Sequence, residues 1–540
     1  MRENTSRRMA ASAVWALLVC FTLVSSIHAF GYSISNMSPS FGAPGITISI
    51  YGNFPSTVGK VKFVTGSGTV LVAATTWSTT VITVKVPTNA ATGLVTVTNS
   101  LGQSWAQSTG DFDVVAAGTS LVLGAFPPSG SSCTYKTHST TQNGGQITTS
   151  DTTLSNCLSD YQTLVLPNID GVTIVVPWSD VDTGTTGPNY TGWTSGKNVD
   201  GIIEQYTTGP NWGPDKKVGI VLAPVSNGGN NMATPSYVFT QGWAGSGNPP
   251  LDECTCQGYQ GGSGALSNQC WTTLTHSDTS GFPAVWEQPF QTALKDFYSN
   301  AVSHFNSASY SKYIAYVRMG LSGGGEEFPY CSTNLETLNG VPNHNAAGLE
   351  TVWTGYAASM ASYQAGLSSQ LPLMAAGNGN GTANGVPSDD WADKEAHSAI
   401  NNGLAWGSEG LQFQDTIGTN PCSNDWCNTF TFTSQTSIPT SPVRELQTLG
   451  YSDPPENNCS SGNYNGPFAV GTASLVCVLP FGQQFANSLE LYPEDLFQAF
   501  DSNYYDQVTY TFNNTPGTDY NTPYAHAICT ARGVPLSSCP

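Results

Sequence analysis

Two groups of acidic residues are candidates for chemistry. Glu326 and Glu327 are consecutive and follow three glycines, which allow a backbone to approach a ligand closely. Glu445 lies more than one hundred residues further along the chain. Two carboxyl groups can cleave a glycosidic bond when one is held protonated and donates to the leaving oxygen, while the other is ionised and attacks the anomeric carbon. Glu326 and Glu445 are the candidates for such a pair of carboxyl groups, with Glu327 and Glu490 as alternates.

Structural roles for the same acids stay open. Glu327 is expected to face away from Glu326, toward Arg318 or solvent. Both could be ordinary loop acids, and Glu445 could lie on the surface of a helix in the Pro442–Leu449 stretch. The choice between these roles depends on the elements that carry the residues.

Sugar sites also need flat apolar faces, because the C–H side of a pyranose stacks on aromatic rings. Several aromatic residues stand near the ends of predicted strands or in loops, where a single tryptophan can equally be a core residue. Asp180 is a candidate for binding sugar hydroxyls, or part of a turn. The predicted substrate contacts are Trp178, Asp180, Trp286, Trp406 and Tyr492.

The elements that must position these residues begin near residue 118. From there apolar strands alternate with longer helical stretches, which is typical of a parallel α/β architecture. The candidate strands are Leu121–Phe126, Val172–Trp178, Val218–Pro224, Tyr313–Met319, Leu373–Ala376, Gly403–Trp406, Pro442–Leu446 and Ser488–Leu491. Helical periodicity is found in Pro289–Phe305 and Leu349–Ser368. Eight strands predict a (β/α)8 barrel over residues 118–540, with its chemistry where strands end and loops begin.

Residues 32–115 have a different pattern of short alternating strands and frequent turn residues, as in a β-sandwich. The run Ile34-Ser-Asn-Met-Ser-Pro39, the strand Ile46–Ile50 and the segment Tyr51-Gly-Asn-Phe54 resemble the opening of an IPT/TIG domain. Trp77, Val86-Pro87 and Phe112-Asp-Val continue that pattern. The resemblance implies an immunoglobulin-like sandwich that serves as a spacer or as a docking unit. The expected fold class is thus an all-β sandwich followed by an α/β barrel.

The barrel segment carries a second, remote resemblance, over roughly residues 170–500. Stretches such as Ile169–Val181 and Phe282–Trp286 look like the retaining glycosidases of the large (β/α)8 clan, of the cellulase and β-galactosidase type. That resemblance implies an acid/base glutamate after strand four and a nucleophile at strand seven, which fall on Glu326 and Glu445. Gly325 stands where the clan usually has Asn, so the choice between Glu326 and Glu327 stays open.

Composition limits the partners. The formal net charge is -20, with only 16 Lys and Arg, so a polyanion would be repelled and nucleic-acid binding is not expected. Neutral glycans are compatible partners. The 13 Trp, 23 Tyr and 22 Phe exclude an intrinsically disordered chain. Without a phosphate-binding, dinucleotide-binding or zinc-protease motif, neither a cofactor nor a metal is predicted.

The N-terminus and the cysteines indicate an exported protein. Arg2, Arg7 and Arg8 precede an apolar run from residue 9 to about 24, which is the layout of a signal peptide over residues 1–29; an uncleaved membrane anchor is the alternative. After removal of that segment, twelve of the 13 cysteines remain, and they are expected to form disulfides of undetermined pairing rather than zinc sites. The expected location is extracellular or periplasmic, with no stable membrane partner.

Two other functions are compatible with the sequence. Gly320-Leu-Ser322-Gly-Gly324 matches the nucleophile elbow of a serine esterase, with His397 or His526 and Asp415 or Asp501 as partners. The three glycines and the Phe-Pro pair that follow do not favour the helix that such an elbow requires. The third function is a non-catalytic surface protein whose barrel binds glycans.

Overall fold

The computed structural model describes residues 31–38, 40–42, 44–114, 120–128, 131–139, 148–182, 198–209, 216–224, 233–235, 238, 252–254, 282–283, 288–320, 346–367, 371–378, 399–411, 443–448, 475–483, 486–501 and 521–540. The chain folds into two sheets of mainly antiparallel strands, followed by a closed barrel of eight parallel strands. The fold class predicted from the sequence is thereby confirmed.

The N-terminal part is a β-sandwich. One sheet has the strand order β1-β3-β7-β6 and the other β2-β9-β8-β4-β5. The strands are β1 Ser33–Ser38, β2 Phe41–Gly42, β3 Thr47–Asn53, β4 Lys60–Thr65, β5 Gly68–Ala73, β6 Thr76–Trp77, β7 Val81–Lys85, β8 Gly93–Thr98 and β9 Ser104–Val114. Apolar side chains alternate along them, so that Ile48, Ile50, Val61 and Phe63 form a core between the sheets.

The barrel closes in the order β10-β13-β14-β17-β18-β19-β20-β21. Its strands, here called barrel strands one to eight, are β10 Leu121–Ala125, β13 Gly171–Pro177, β14 Lys217–Ala223, β17 Ile314–Met319, β18 Leu373–Asn378, β19 Ala405–Leu411, β20 Arg444–Thr448 and β21 Ser488–Leu491. All eight overlap the strands expected from the sequence. Apolar runs identify them because both faces of a barrel strand are buried, one by the lumen and the other by helices.

Helices cover the outside of the barrel. The two long ones, Gln288–Ser307 and Ala346–Ala365, contain most of the stretches predicted to be helical. The other helical segments are Cys157–Asp160, Tyr161–Val165, Leu166–Asn168, Trp178–Val181, Val199–Thr207, Ser311–Tyr313, Leu475–Gly482, Pro493–Phe500, Asn521–Ala531 and Leu536–Ser538. The first hairpin pairs β11 Cys133–Ser139 with β12 Thr148–Leu154, and a separate antiparallel pair joins β15 Asp252–Cys254 to β16 Phe282–Pro283. Within the described ranges, no helix is both long and apolar enough to cross a membrane.

In the part of the barrel that the structure describes, two disulfides lie near the chain ends of the domain. Cys133 bonds to Cys157, which joins the first hairpin to the helical segment before barrel strand two. Cys529 bonds to Cys539 and fastens the end of the chain to the last helix. The expectation of disulfides in the barrel is confirmed for these two pairs.

Candidate active site

Barrel strand seven carries Glu445, and the structure corrects the helical alternative for this residue. Arg444–Thr448 is a β-strand between strands six and eight. Successive side chains of a strand point to opposite faces, so Glu445 faces the lumen, whereas Leu446 packs in the apolar layer between strands and helices. A side chain on Gly407 of strand six would collide with the Glu445 carboxylate. The lack of a side chain at Gly407 therefore provides the space that the Glu445 carboxylate occupies.

Arg318 of barrel strand four lies between two carboxylates. Its Nη2 atom is 3.3 Å from Oε2 of Glu445 and 3.1 Å from Oε2 of Glu490 on strand eight. Its Nη1 atom donates to Oε1 of Gln447 at 3.4 Å. All three charged residues are at most 1% exposed. One guanidinium thus serves two buried carboxyl groups, and we call Arg318, Glu445 and Glu490 the lumen triad.

The environments of the two carboxyl groups differ. Oε1 of Glu490 accepts a hydrogen bond of 2.7 Å from the Thr173 hydroxyl, which itself lies 3.1 Å from the hydroxyl of Tyr316. Burial raises the pKa of Glu490 to about 8, although the bond from Thr173 opposes the rise. Burial therefore favours the protonated form of Glu490, while the guanidinium of Arg318 lies against both carboxyl groups.

The mouth of the barrel carries two aromatic rings, which follow strands one and eight. The hydroxyl of Tyr492, the residue after strand eight, accepts from Nε2 of Gln447 at 3.1 Å. Its ring centroid is 5.7 Å from that of Phe126, the residue after strand one. Phe126 is 47% exposed and has a φ of 47°, a conformation that strains a bulky residue. Strain of this kind is concentrated at functional sites.

Two of the predicted sugar platforms lie in the core instead. Trp178 is fully buried, stacks on Phe297 with centroids 5.1 Å apart, and donates from Nε1 to Oδ2 of Asp182 at 2.9 Å. Trp406 is 1% exposed and packs in the layer between strands and helices, on the opposite side of its strand from Gly407. Core packing accounts for both rings, and neither enters the site proposed below.

The other predicted contacts are divided between the mouth and the undescribed segments. Tyr492 lies at the mouth, as described above. Asp180 is half-buried on the short helix Trp178–Val181, which begins where strand two ends. Glu326, Glu327, Trp286 and the esterase candidates Ser322, His397 and Asp415 lie outside the described residues.

Reasoning from the sequence missed Thr173, Gln447 and Phe126, and it did not foresee the pairing of Arg318 with the two lumen carboxyl groups. Arg318 pairs with Glu445 and Glu490, and the expected contact with Glu327 lies outside the described residues. The signal was present, because an arginine inside a strand buried on both faces requires an anion beside it. Gln447 is two residues after Glu445 on one strand, so the two must share a face. No comparable signal marks Phe126, since its backbone conformation is set by the end of the strand.

Within the described part of the chain, no three His, Cys, Asp or Glu side chains are grouped as ligands of a metal ion. The two lumen carboxylates already share a positive charge, that of Arg318.

Comparisons with known proteins give only distant likenesses. No family model matches the chain, and no curated protein matches its sequence. Among solved structures, the CBM22-1–GH10 modules of an endo-1,4-β-D-xylanase 10B from Clostridium thermocellum, complexed with xylohexaose, are 9% identical, with 92% of this chain and 87% of that chain covered and a TM-score of 0.35. A GH5 xyloglucanase from Bacteroides ovatus is 9% identical, with 92% and 97% covered and a TM-score of 0.28.

A third likeness is confined to a small part of the chain. An auxiliary nutrient binding protein from Bacteroides thetaiotaomicron is 20% identical over 18% of this chain, with a TM-score of 0.14. This chain spans only 25% of the length of that protein. TM-scores of this size carry no argument about activity, so the fold assignment rests on the strand order of the barrel itself.

Proposed function

We propose that the protein is an exported glycoside hydrolase that acts on a neutral polysaccharide or oligosaccharide. The observation that carries the proposal is the position of Glu445, a lumen-facing carboxylate of barrel strand seven that is paired with Arg318. Barrel enzymes place their chemistry at the carboxyl ends of the strands. Because a fold alone does not specify an activity, the lumen carboxylates and the aromatic mouth must support the proposal.

The proposed reaction is a double displacement with retention. The Glu445 carboxylate attacks the anomeric carbon while Glu326, in the segment that follows strand four, donates a proton to the leaving oxygen. The glycosidic bond breaks, and a glycosyl ester forms on Glu445. Glu326 then takes a proton from a water molecule, which attacks the same carbon and releases Glu445 as a carboxylate. Glu327 is the alternate acid/base, and Glu490 is the alternate lumen carboxyl group.

The ring pair at the mouth supports a carbohydrate substrate. Phe126 is half-exposed beside Tyr492, and an aromatic face suits the C–H side of a pyranose ring. Asp180, on the short helix after strand two, is the residue proposed to bind hydroxyl groups. The net charge of -20 favours a neutral glycan over an acidic one.

The test is the replacement of each glutamate, with release of reducing sugar measured on a panel of neutral polysaccharides. Glu445→Gln is expected to lower turnover by roughly 10³-fold or more while the fold is retained. Glu204→Gln, on the outer helix Val199–Thr207, is the matched control and should be fully active.

Chemical rescue separates a nucleophile from other roles. In Glu445→Ala, added azide should attack the anomeric carbon in place of the carboxylate, restore turnover and yield a glycosyl azide of inverted configuration. In Glu326→Ala, azide should yield the retained configuration, because the glycosyl ester still forms. Full activity of Glu445→Gln would remove the proposal for this residue and move it to Glu490.

The complete burial of Glu445 favours a second candidate, a barrel that binds glycans without cleaving them. In that case Arg318 and the two carboxylates would only hold the lumen together. Binding of cellohexaose or xylohexaose, measured by calorimetry, with no hydrolysis of either sugar would select this candidate.

We also propose that residues 32–115 form an IPT/TIG module, that the barrel domain covers residues 118–540, and that residues 1–29 are a signal peptide. The alternating strands of the sandwich and the two barrel disulfides support an exported two-domain protein. Mass spectrometry of the protein secreted by its own host would test the leader, since the mature chain should begin after Ala29 or Ser26.

A further inference from the structure

The amino end of the barrel is in contact with the sandwich. Phe41, from β2 of the sandwich, is fully buried. It belongs to one apolar cluster with residues at or near the starts of barrel strands one, four, five, six and seven, which are Leu121, Leu123, Ala315, Tyr316, Met374, Ala405 and Val443. A ring from one domain therefore completes the apolar packing at the bottom of the other.

A buried charge crosses the same boundary. Lys217, the first residue of barrel strand three, has a side chain only 4% exposed, and its Nζ atom lies 3.1 Å from Oδ2 of Asp113 in β9. The same Nζ donates to the hydroxyl of Ser40 at 3.3 Å. Asp113 is the register partner of Phe41, so the apolar and the ionic contact come from adjacent positions. A buried ammonium group needs such a partner, because desolvation of an unpaired charge is costly.

A third contact lies beside barrel strand four. Lys312, in the helical turn Ser311–Tyr313, donates from Nζ to the Thr109 carbonyl oxygen at 2.8 Å. Its side chain also crosses Gly110, where an added Cβ would come within 3.1 Å of the lysine Cδ. Glycine at this position therefore permits the close approach of β9 to the barrel.

From these contacts we propose that the sandwich is the fixed floor of the barrel, and not a tethered spacer. The partner that the amino end of the barrel fits is residues 33–114 of the same chain. An apolar insertion, an ion pair of a buried lysine and a hydrogen bond from a lysine side chain to a backbone carbonyl all join the two domains, and all of them lie at the end opposite the mouth. In such barrels the amino end contributes to stability, whereas the chemistry takes place at the carboxyl end. The inference does not require that the barrel is catalytic.

The experiment uses the full-length chain. It distinguishes a sandwich that is packed on the barrel, here called a floor, from a sandwich that is only tethered to it as a spacer. A specific protease site is inserted between Val114 and Ser120, the native protein is cut there, and the products are examined by size-exclusion chromatography. Residues 32–115 contain no cysteine, so no disulfide can hold the two fragments together. A floor predicts that the fragments co-elute and melt in a single calorimetric transition. Separate elution of folded fragments would overturn the proposal.

Single replacements in the uncut chain provide a second readout. Phe41→Ala should lower the Tm of the barrel transition by roughly 5 °C or more, whereas Leu101→Ala, on the same module but 82% exposed, should leave it unchanged. Asp113→Ala should lower it as well, because Lys217 loses its anion.

In the double variant Asp113→Ala/Lys217→Met, most of the Tm should return, since no unpaired charge remains. Lys85→Met, an exposed lysine of the same module, is the control. If Phe41→Ala and Asp113→Ala lowered only a separate sandwich transition and left the barrel transition in place, the two domains would be independent and the proposal wrong.

Discussion

Two neighbouring regions of the barrel lumen differ in chemical composition. At the amino end the lumen is apolar, with Leu121, Met374 and Val443 packed together with Phe41 of the sandwich. The next layer of the lumen contains the lumen triad, in which Arg318 lies 3.3 Å from Glu445 and 3.1 Å from Glu490. The barrel strands therefore carry an apolar layer at the amino end and a charged layer directly after it.

This difference indicates how the barrel tolerates the site. Buried ion pairs often contribute no net stability, because desolvation offsets their mutual attraction. The apolar end and the helix layer must therefore hold the barrel closed while the triad is kept for another purpose. If that division is right, changes in the triad should depend strongly on charge and pH, and changes at the mouth should affect ligand binding more than stability.

The largest expected effect comes from Arg318→Met. Removal of the guanidinium leaves two buried carboxyl groups without their cation, and the free energy of unfolding should fall by about 3–5 kcal/mol. Urea denaturation followed by far-UV circular dichroism at pH 7 measures the change. Lys295→Met, on the outer helix Gln288–Ser307, is the control and should change stability by less than about 0.5 kcal/mol.

The triple variant Arg318→Met/Glu445→Gln/Glu490→Gln tests the cause. With no charge left in the lumen, most of the lost stability should return, since well-packed neutral groups replace a buried ionic cluster at little cost. If the triple variant were as unstable as Arg318→Met, lost packing rather than charge would explain the defect.

A smaller effect concerns Glu490 and pH. The folded-state pKa of about 8 lies above the ordinary value of 4.5, so the folded protein binds more protons than the unfolded chain between these two values. The stability contributed by this group is complete below about pH 4.5 and is lost as the pH rises to about 8. Relative to Glu490→Gln, the unfolding free energy of the native protein should therefore fall with pH, by up to about 1.4 kcal/mol per pH unit.

Denaturation curves of both proteins at four pH values from 5 to 8 measure this difference. Other titrating groups cancel in the comparison, because the two chains differ at one side chain only. Parallel stability profiles would mean that Glu490 is ionised over the whole range from pH 5 to 8, and that Arg318 compensates the charge of both carboxylates.

The barrel was predictable because its strands are buried on both faces. Runs such as Val218–Pro224 are apolar without alternation, and the structure has the strand Lys217–Ala223 there. Periodicity also located the long helices to within a few residues. Strand ends were less predictable: Glu445 was compatible with a helix surface until the pairing of Arg444–Thr448 with strands six and eight was known.

The site was predictable only in part, for a physical reason. Residue type and alternation identify a carboxylate that faces the lumen, but contacts between strands depend on barrel closure. Arg318 reaches Glu490 across 172 positions of sequence, from strand four to strand eight. The role of the tryptophans depended on their burial, which was not predictable locally, because Trp178 stacks on a helix that begins more than one hundred residues later. Such contacts are set by packing, which leaves no local signal.

The smallest expected effect is at Phe126 and separates strain from binding. Glycine adopts a φ of 47° without the cost of a Cβ, so Phe126→Gly should be more stable than Phe126→Ala by about 1 kcal/mol. Both variants lack the ring and should bind cellohexaose or xylohexaose equally weakly, about ten-fold below the native protein. Asn198→Gly is the control, because Asn198 also has a positive φ of 52° but caps its helix, so glycine should bring no gain there. Equal stability of the two Phe126 variants would show that the backbone is unstrained, and native affinity in both would exclude the ring from the binding site.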